Sequence, residues 1–158
     1  MMRVGIGYDI HRLEEGYPCW LGGVLIPHHQ GLVGYSDGDS LLHAVCDALL
    51  GAAGLGDMGR YFPEGDPRWK NVASITFLEE VARRLLQRQY RIVNIDAVVI
   101  AERPRIAPYV DEMKLTMSRC LSLTPDCVNI KATTNEKLGA IGREEGIAAH
   151  AVCLIEHD

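Results

Sequence analysis

An aspartate and two histidines near the start of the chain have the residue types of a metal site. Asp9 and His11 stand two positions apart in "GYDIHRL", and His43 follows in "YSDGDSLLHAVCDALLG". Imidazole nitrogens and carboxylate oxygens bind zinc, and three protein ligands with a vacant fourth position are typical of catalytic zinc. Two nitrogen ligands also favour zinc over a hard cation. The spacing alone leaves two alternatives: one open zinc site, or three unrelated polar residues at the surface.

Two carboxylates flank His43 at helical spacing. Asp39, His43 and Asp47 recur every four residues, which predicts that they share one face of a helix. Asp47, one turn beyond His43, would then orient the imidazole by a hydrogen bond. The alternative for Asp47 is a solvated helix carboxylate with no role in the site.

A second group of polar residues has the types expected of a phosphate site. The stretch "KATTNEKLG" contains Thr133 and Thr134, whose hydroxyls and neighbouring backbone N–H groups can donate hydrogen bonds to phosphate oxygens. Glu136 would repel phosphate unless a cation such as Mg2+ lies between them. The alternative is structural: the threonines favour a strand and Glu136 caps a turn. The chain has no Walker loop and no GxGxxG motif, which disfavours the common nucleotide-binding folds.

The apolar patterns predict the elements that must position these residues. "RVGIGYD" alternates with period two, which predicts a strand from whose end Asp9 and His11 leave in the same direction. "CWLGGVLIP" resembles a hairpin that turns at Gly22-Gly23. "SLLHAVCDALLG" has helical spacing and carries His43, and residues 57–71, which are rich in Gly, Pro and Asp, predict a loop.

The rest of the chain continues with helices and strands. The predicted elements are a helix over 74–89, a strand over 90–101, a helix from Pro108, and strands over 127–134 and 147–156. Val93, Ile95, Ala97 and Val99 are predicted to line one face of their strand. The order predicts an α+β fold, a two-layer sandwich with one mixed sheet, helices packed on one face and a small N-terminal hairpin. Residues 1–158 are predicted to form a single domain.

The composition excludes several classes of protein. A net charge of −5 does not fit the general basic surface of nucleic-acid-binding proteins. The five cysteines include no CxxC pair and indicate free thiols in a reducing compartment. No apolar stretch approaches the roughly 20 residues of a membrane span, and the early strand pattern leaves no room for a signal or transit peptide. We therefore expect a cytoplasmic protein, or a trimmed organellar one, with no nucleic-acid or membrane partner.

Five stretches in register resemble those of one enzyme family. They are "GYDIHRL", "YSDGDSLLHAVCDALLGAAGLGDMG", "YFPEGDP", "KATTNEKLG" and "GREEGIA", and together they span nearly the whole chain. The chain thus resembles the 2-C-methyl-D-erythritol 2,4-cyclodiphosphate synthases of the non-mevalonate route to isoprenoids. The resemblance implies a homotrimer with an active site at each subunit junction. It also implies the substrate 4-diphosphocytidyl-2-C-methyl-D-erythritol 2-phosphate, whose 2-phosphate attacks the β-phosphorus, closes a ring and expels CMP.

The resemblance assigns roles to residues of this chain. The zinc ligands that it implies are Asp9, His11 and His43. Glu136 would bind a Mg2+ or Mn2+ ion that bridges the diphosphate, and Tyr35 and Thr134 fall at catalytic positions. The implied substrate-binding residues, contributed by two subunits, are Asp9, Ile10, His11, Tyr35, Ser36, Asp57, Met58, Gly59, Phe62, Pro63, Glu64, Gly65, Asp66, Ala101, Glu102, Arg103, Pro104, Arg105, Ile106, Ala107, Ala132, Thr133, Thr134, Asn135, Glu136, Ala140 and Arg143.

Three positions depart from the family's pattern. Tyr35 stands where the family usually has a histidine whose implied role is to steady the transition state. A phenol can donate a hydrogen bond there but cannot carry positive charge near neutral pH. Asn135 replaces a common threonine, and Ala140 replaces a frequent aromatic residue, which would reshape a hydrophobic opening among the subunits. None of the three departures touches the implied zinc ligands.

Two other classes of function are alternatives. A metal-dependent phosphohydrolase would use the same zinc to activate water, and it would release a linear phosphate instead of a cyclic diphosphate. A non-catalytic binding module would bind CDP or CMP without turnover. The intact set of Asp9, His11 and His43 argues against the binding module.

Overall fold

A computed structural model describes residues 1–157, which fold into a layer of strands and a layer of helices. The strands are β1 (Met2–Glu15), β2 (Cys19–Leu21), β3 (Val24–Ile26), β4 (Gln30–Val33), β5 (Tyr90–Ile100), β6 (Val128–Thr133) and β7 (Gly146–His157). The helices are α1 (Ser40–Ala52), α2 (Met58–Tyr61), α3 (Ser74–Gln87), α4 (Val110–Cys120) and α5 (Gly139–Gly142). Within this described part of the chain, none of the helices has the length and apolar character needed to cross a membrane.

One mixed sheet forms the first layer. Its strand order is β4-β1-β7-β5-β6, and β2 and β3 pair as a separate hairpin. β5 and β6 are parallel, whereas the other neighbouring strands run antiparallel. The three long helices, α1, α3 and α4, pack on one face of the sheet around a single apolar core. The predicted α+β sandwich with its small hairpin is therefore confirmed.

Two glycines let α1 lie directly against β1. A Cβ atom placed on Gly5 would be 1.9 Å from the carbonyl oxygen of Ala48, and one on Gly7 would be 1.8 Å from that of Ala44. No side chain fits in such a gap, because real non-bonded carbon–oxygen contacts are about 3.3 Å or more. The close approach brings His43 of α1 to the strand that carries Asp9 and His11.

We expect Gly7→Ala to lower the free energy of unfolding by about 3 kcal/mol, because the added methyl group overpacks a backbone contact that cannot move locally. Gly51→Ala on the exposed side of α1 is the matched control. Its new Cβ meets nothing closer than 4.0 Å, and alanine favours a helix by about 1 kcal/mol over glycine. Urea unfolding of both variants measures the difference. Equal stabilities would show that α1 does not lie this close to β1.

On the opposite face of the sheet, the part formed by β1 and its neighbour β7 exposes apolar side chains in the single chain. Val4 and Ile6 of β1 are 68% and 72% exposed, and Tyr8, Ile10 and Val152 are also exposed. These β1 residues alternate with Gly5, Gly7, Asp9 and His11, so they point away from the helices. Contiguous exposed apolar surface of this kind marks an interaction site.

Some details differ from the sequence predictions. A fourth strand, β4, pairs with the end of β1 and was not predicted, because its four residues carry little pattern. β1 itself continues to Glu15, so Asp9 and His11 lie within the strand and not at its end. In β5 a bulge between Ile92 and Asn94 shifts the alternation, so that Ile92 is buried and Val93 is only partly buried. The predicted loop over 57–71 contains the short helix α2 and a turn of 3-10 helix at Pro67–Trp69, and the connection after β6 contains α5.

Candidate metal centre

The close contact of β1 and α1 brings Asp9, His11 and His43 together. Oδ2 of Asp9 lies 2.8 Å from Nε2 of His11 and 3.0 Å from Nδ1 of His43. The same two imidazole nitrogens are 3.1 Å apart. Within residues 1–157 this is the one group of His, Cys, Asp or Glu side chains found close enough to hold a metal ion. Of the two alternatives that the spacing left open, the structure supports a single cluster.

The triangle of ligand atoms has the dimensions of a tetrahedral site. With metal–ligand bonds of about 2.0–2.1 Å, neighbouring ligand atoms around a tetrahedral zinc ion lie roughly 3.3 Å apart. The observed edges of 2.8, 3.0 and 3.1 Å are close to that value. The three side chains keep 13–27% of their surface exposed, so the site is accessible from one side. The residues present therefore fit an ion that has three protein ligands and an open position.

A backbone carbonyl sets the proton position on His11. Its Nδ1 lies 2.7 Å from the carbonyl oxygen of Val33. Because a carbonyl oxygen can only accept, Nδ1 carries the hydrogen and donates it. In the neutral ring the lone pair is then on Nε2, which is the atom that faces Asp9. β4, which supplies Val33, thus orients a ligand of the cluster.

Charge within the cluster shifts two pKa values. Burial alone raises the pKa of the Asp9 carboxyl, but its hydrogen bonds to His11 and His43 and their charges outweigh burial and lower the pKa to about 2. Burial alone lowers the pKa of His11, but its hydrogen bond to Asp9 and the charge of Asp9 outweigh this, and the net pKa is raised. Asp9 is therefore ionised at neutral pH, as a metal ligand must be, and protons compete with metal at His11.

The two carboxylates that flank His43 in sequence have structural roles. Asp39 is the N-cap of α1 and accepts hydrogen bonds from Leu42 N at 3.0 Å, Gly22 N at 2.9 Å and Gly23 N at 2.8 Å. It therefore fixes the hairpin turn to the helix and does not share the metal-facing side with His43. Asp47 accepts from Met58 N at 2.8 Å and so holds the start of α2. This hydrogen bond matches neither of the alternatives that the sequence left open for Asp47, which were an orienting partner of His43 and a free solvated carboxylate.

A cavity of about 300 Å3 opens beside the cluster. Besides the three ligands, its lining residues are Tyr35, Ser36, Asp47, Met58, Gly59, Phe62, Glu64, Trp69 and Phe77. The ring centroids of Phe62 and Phe77 are 4.5 Å apart, and Trp69 meets Phe62 edge-on at 5.2 Å. Asp57, one of the implied substrate-binding residues, caps α2 by accepting from Arg60 N at 3.2 Å. Sequence reasoning missed Trp69 and Phe77, although an isolated tryptophan in a polar loop is a signal that it could have used.

A second cavity of about 320 Å3 joins two segments that the resemblance implies for substrate binding. Its lining residues are Ala101, Glu102, Arg103, Pro104, Arg105, Ile106, Ala107, Ala132, Thr133 and Thr134. They meet because β5 and β6 are parallel with Ile100 opposite Thr133, so both strands end at the same edge of the sheet. Oε1 of Glu102 accepts from Asn135 N at 3.1 Å and Lys137 N at 2.9 Å, which fixes the loop that carries Glu136.

The structure does not bring every implied site residue into these two cavities. Glu136 is exposed and is not part of the Asp9 cluster, and Arg143 pairs with Glu145 at 2.9 Å. Ala140 and Ile10 line a third cavity of about 220 Å3. Of the loop that follows α2, Pro63 and Gly65 are exposed. The lining residues of the first two cavities do not overlap, so a single chain holds the implied site as separate parts.

The fold and the cluster define a class: an α+β protein with an open Asp-His-His metal site between a strand and a helix. A profile of the YgbB family matches residues 2–156. The chain belongs to the YgbB family.

Named relatives cover nearly the whole chain. The sequence is 57% identical over 155 residues to 2-C-methyl-D-erythritol 2,4-cyclodiphosphate synthase of Desulfatibacillum aliphaticivorans, which covers 98% of this chain and 100% of the relative. A solved structure of 2C-methyl-D-erythritol-2,4-cyclodiphosphate synthase in a CDP-bound form has a TM-score of 0.90 at 40% identity, covering 98% of this chain and 100% of that one. The bifunctional IspDF from Campylobacter jejuni has a TM-score of 0.96 at 37% identity. That match covers 100% of this chain and 43% of the bifunctional one. The resemblance drawn from the sequence motifs is confirmed.

Proposed function

We propose that the protein converts 4-diphosphocytidyl-2-C-methyl-D-erythritol 2-phosphate to 2-C-methyl-D-erythritol 2,4-cyclodiphosphate and releases CMP. The observation that carries the proposal is the Asp9–His11–His43 cluster, in a chain that matches named synthases over nearly its whole length. The CDP-bound relative supports a cytidine diphosphate substrate. The reaction class is that of a cyclising phosphorus–oxygen lyase in isoprenoid biosynthesis.

Two cations complete the proposed site. We assign zinc to Asp9, His11 and His43, because two of the three ligand atoms are imidazole nitrogens. We assign Mg2+ or Mn2+ to Glu136, whose exposed carboxylate is a hard oxygen ligand. When bound, these cations would act as Lewis acids that neutralise charge on the diphosphate oxygens.

The chain's own residues have a positioning task. The attacking group is a phosphate that is already ionised, so no side chain has to act as a strong general base. The work left to the protein is to hold two anionic groups in line and to exclude water. The aromatic wall of Phe62, Trp69 and Phe77 suits the second task beside the cluster. In the other cavity the hydroxyls of Thr133 and Thr134 suit the binding of phosphate oxygens.

We propose that the active enzyme is a homotrimer in which neighbouring subunits share each site. Two observations support this. The apolar sheet face of β1 and β7 is uncovered in the single chain and is suited to pack against other copies. The metal cavity and the cavity at residues 101–107 and 132–134 have no lining residue in common, and the whole segment 131–140, from the end of β6 into α5, is exposed. A neighbouring copy would bring the second cavity to the first.

Tyr35, which lines the metal cavity, has a defined hydrogen-bond partner. Its hydroxyl donates to the carbonyl oxygen of Asp66 at 3.0 Å, and its own carbonyl oxygen accepts from Asn71 N at 2.8 Å. Tyr35 thus holds the loop between α2 and α3, which supplies Glu64 and Trp69 to the cavity wall. We propose that this tyrosine contributes by fixing the loop and not by carrying charge.

We expect Tyr35→Phe to raise KM about fivefold, because the loss of one hydrogen bond costs about 1 kcal/mol, while zinc content stays unchanged. Tyr61→Phe is the matched control, since the Tyr61 hydroxyl also donates to a carbonyl oxygen, that of Leu55, at 2.9 Å, and Tyr61 does not line the metal cavity. Steady-state kinetics and hydrogen exchange of the Arg68 and Trp69 amides measure the effect. An unchanged KM would contradict the proposed role of Tyr35.

Product analysis tests the proposed reaction. Incubation with the substrate and Mg2+ should give the cyclic diphosphate and CMP in equal amounts, which phosphorus NMR resolves. A linear phosphate product would indicate the phosphohydrolase, and CDP binding without any product would indicate a binding module. We also propose a cytoplasmic location, which is consistent with the five cysteines being free thiols.

A further inference from the structure

The nitrogen of His43 that faces away from the cluster contacts two serine hydroxyls. Nε2 lies 2.7 Å from Oγ of Ser74, the first residue of α3, and 3.2 Å from Oγ of Ser36. Ser74 is fully buried, and its hydroxyl in turn meets Oδ1 of Asp37. The other oxygen of Asp37, Oδ2, accepts from Ser74 N at 2.8 Å. A chain of contacts therefore runs from Asp37 through Ser74 to His43.

The chemistry of these groups fixes the direction of each hydrogen bond. An ionised carboxylate can only accept, so the Ser74 hydroxyl donates its one hydrogen to Asp37. Ser74 Oγ then has only lone pairs to offer to His43, so Nε2 of His43 must carry a hydrogen and donate it. In the neutral ring this places the lone pair on Nδ1, the atom 3.0 Å from Asp9 Oδ2.

We propose that Asp37 and Ser74 are positioning residues that select the metal-binding tautomer of His43 and fix its ring. This inference rests on the proposed metal site. It accounts for a carboxylate and a buried hydroxyl that do not contact any of the three ligand atoms themselves. Hydrogen-bond partners of ligand histidines that lie outside the ligand set change metal affinity by about 10–100-fold when removed.

Two other serines provide matched comparisons. Ser36 Oγ is near the same nitrogen but at a longer distance, and its other hydrogen-bond contact among residues 1–157 is with Gly38 N, so no carboxylate of that part of the chain orients its hydroxyl as Asp37 orients Ser74. Ser40 in the first turn of α1 is fully buried, and its Oγ has no hydrogen-bond partner within the described residues 1–157. The same change, serine to alanine, therefore compares three hydroxyls: one that Asp37 orients toward His43, one near His43 that is not oriented in this way, and a buried one with no hydrogen bond to His43.

The experiment measures the zinc dissociation constant of each variant by competition with a chelator. We expect Ser74→Ala to weaken zinc binding about 10–100-fold, Ser36→Ala to weaken it by less than about threefold, and Ser40→Ala to leave it unchanged. Nitrogen-15 NMR of the metal-free protein should show His43 protonated at Nε2 in the wild type and mixed tautomers in Ser74→Ala. Urea unfolding of the metal-free variants shows that each one folds.

A second variant, Asp37→Asn, tests the same role without the cavity that Ser74→Ala leaves. Asp37 accepts from Ser74 N, the Ser74 hydroxyl and, at 3.1 Å, Asp39 N. In Asp37→Asn the amide has one acceptor oxygen, so it cannot satisfy all three donors, and we expect weaker zinc binding here too.

Wild-type affinity and an unchanged His43 tautomer in Ser74→Ala would overturn the inference. So would a larger loss in Ser36→Ala than in Ser74→Ala. If the wild type itself binds no zinc, the metal assignment under the proposed function fails instead, and the two failures are thus distinguishable.

Discussion

His43→Ala is expected to abolish turnover and tight zinc binding while the protein remains folded. The change removes one of three ligand atoms, and the two that are left cannot hold the ion in an open site. Because a bound cation supplies several kcal/mol of transition-state stabilisation, we expect turnover to fall on the order of a thousand-fold or more. Folding should survive because α1 keeps its buried leucines, Leu41, Leu42, Leu49 and Leu50.

Metal analysis of the purified protein and initial-rate kinetics measure this effect. The expected wild-type result is one zinc ion per chain, and the expected result for the variant is none. His29→Ala is the control, because His29 is exposed and lies outside the cluster. A His43→Ala variant that turns over normally without bound zinc would refute the metal assignment. A His43→Ala variant that keeps its zinc but is inactive would show that His43 acts in catalysis and not in zinc binding.

The residues of the candidate metal centre lie on elements that the local sequence pattern predicts, but their spacing alone did not show that they meet, and the metal site was implied by the family resemblance. Period-two alternation placed Asp9 and His11 on one side of a strand, and helical spacing placed His43 on a helix. The hydrogen-bond partners that His11 and His43 have outside the cluster could not be predicted in the same way. Val33 comes from a short strand that pairs with β1, and Ser74 comes from a helix more than thirty positions after His43. Nothing in the residue spacing connects either one to the cluster, whereas Asp47, at the helical spacing, turned out to bind Met58.

The packing of β1 shows a second limit of structure prediction from the residue pattern. Its apolar residues alternate with glycines, and apolar alternation normally indicates the face toward the core. Here the glycines face the core, because α1 lies so near that only hydrogen atoms fit, and the apolar residues Val4 and Ile6 face outward. The pattern predicted the strand correctly but did not specify which face the helices cover. That face depends on how close a helix approaches the strand, which the residue pattern does not specify.

The two faces of β1 link the candidate metal centre to the proposed packing between copies of the chain. The inner face of β1 carries Asp9 and His11, and the outer face of the same strand carries the apolar surface proposed for packing between copies. The second cavity, at the ends of β5 and β6, lies among different residues of the same sheet. If neighbouring copies complete each site, then a subunit with a defective metal cavity and a subunit with a defective second cavity should together form one intact site.

Mixed assemblies of two inactive variants should therefore regain activity. His43→Ala damages the metal cavity, and Glu136→Ala damages the loop next to the second cavity, so each variant alone is expected to be inactive. When the two chains are refolded together in equal amounts, random assembly leaves about one quarter of the junctions with both intact parts. We expect about one quarter of the wild-type activity, against almost none for either variant alone.

The control for the mixed assembly is a chain that carries both changes, refolded with His43→Ala. No junction in that mixture contains an intact metal cavity, so it should remain inactive. Sedimentation of the mixture establishes the number of subunits, and differently tagged chains show that both variants enter one assembly. If tagged hetero-assemblies form but stay inactive, each chain must hold a complete site by itself, and the proposal of a shared site is wrong.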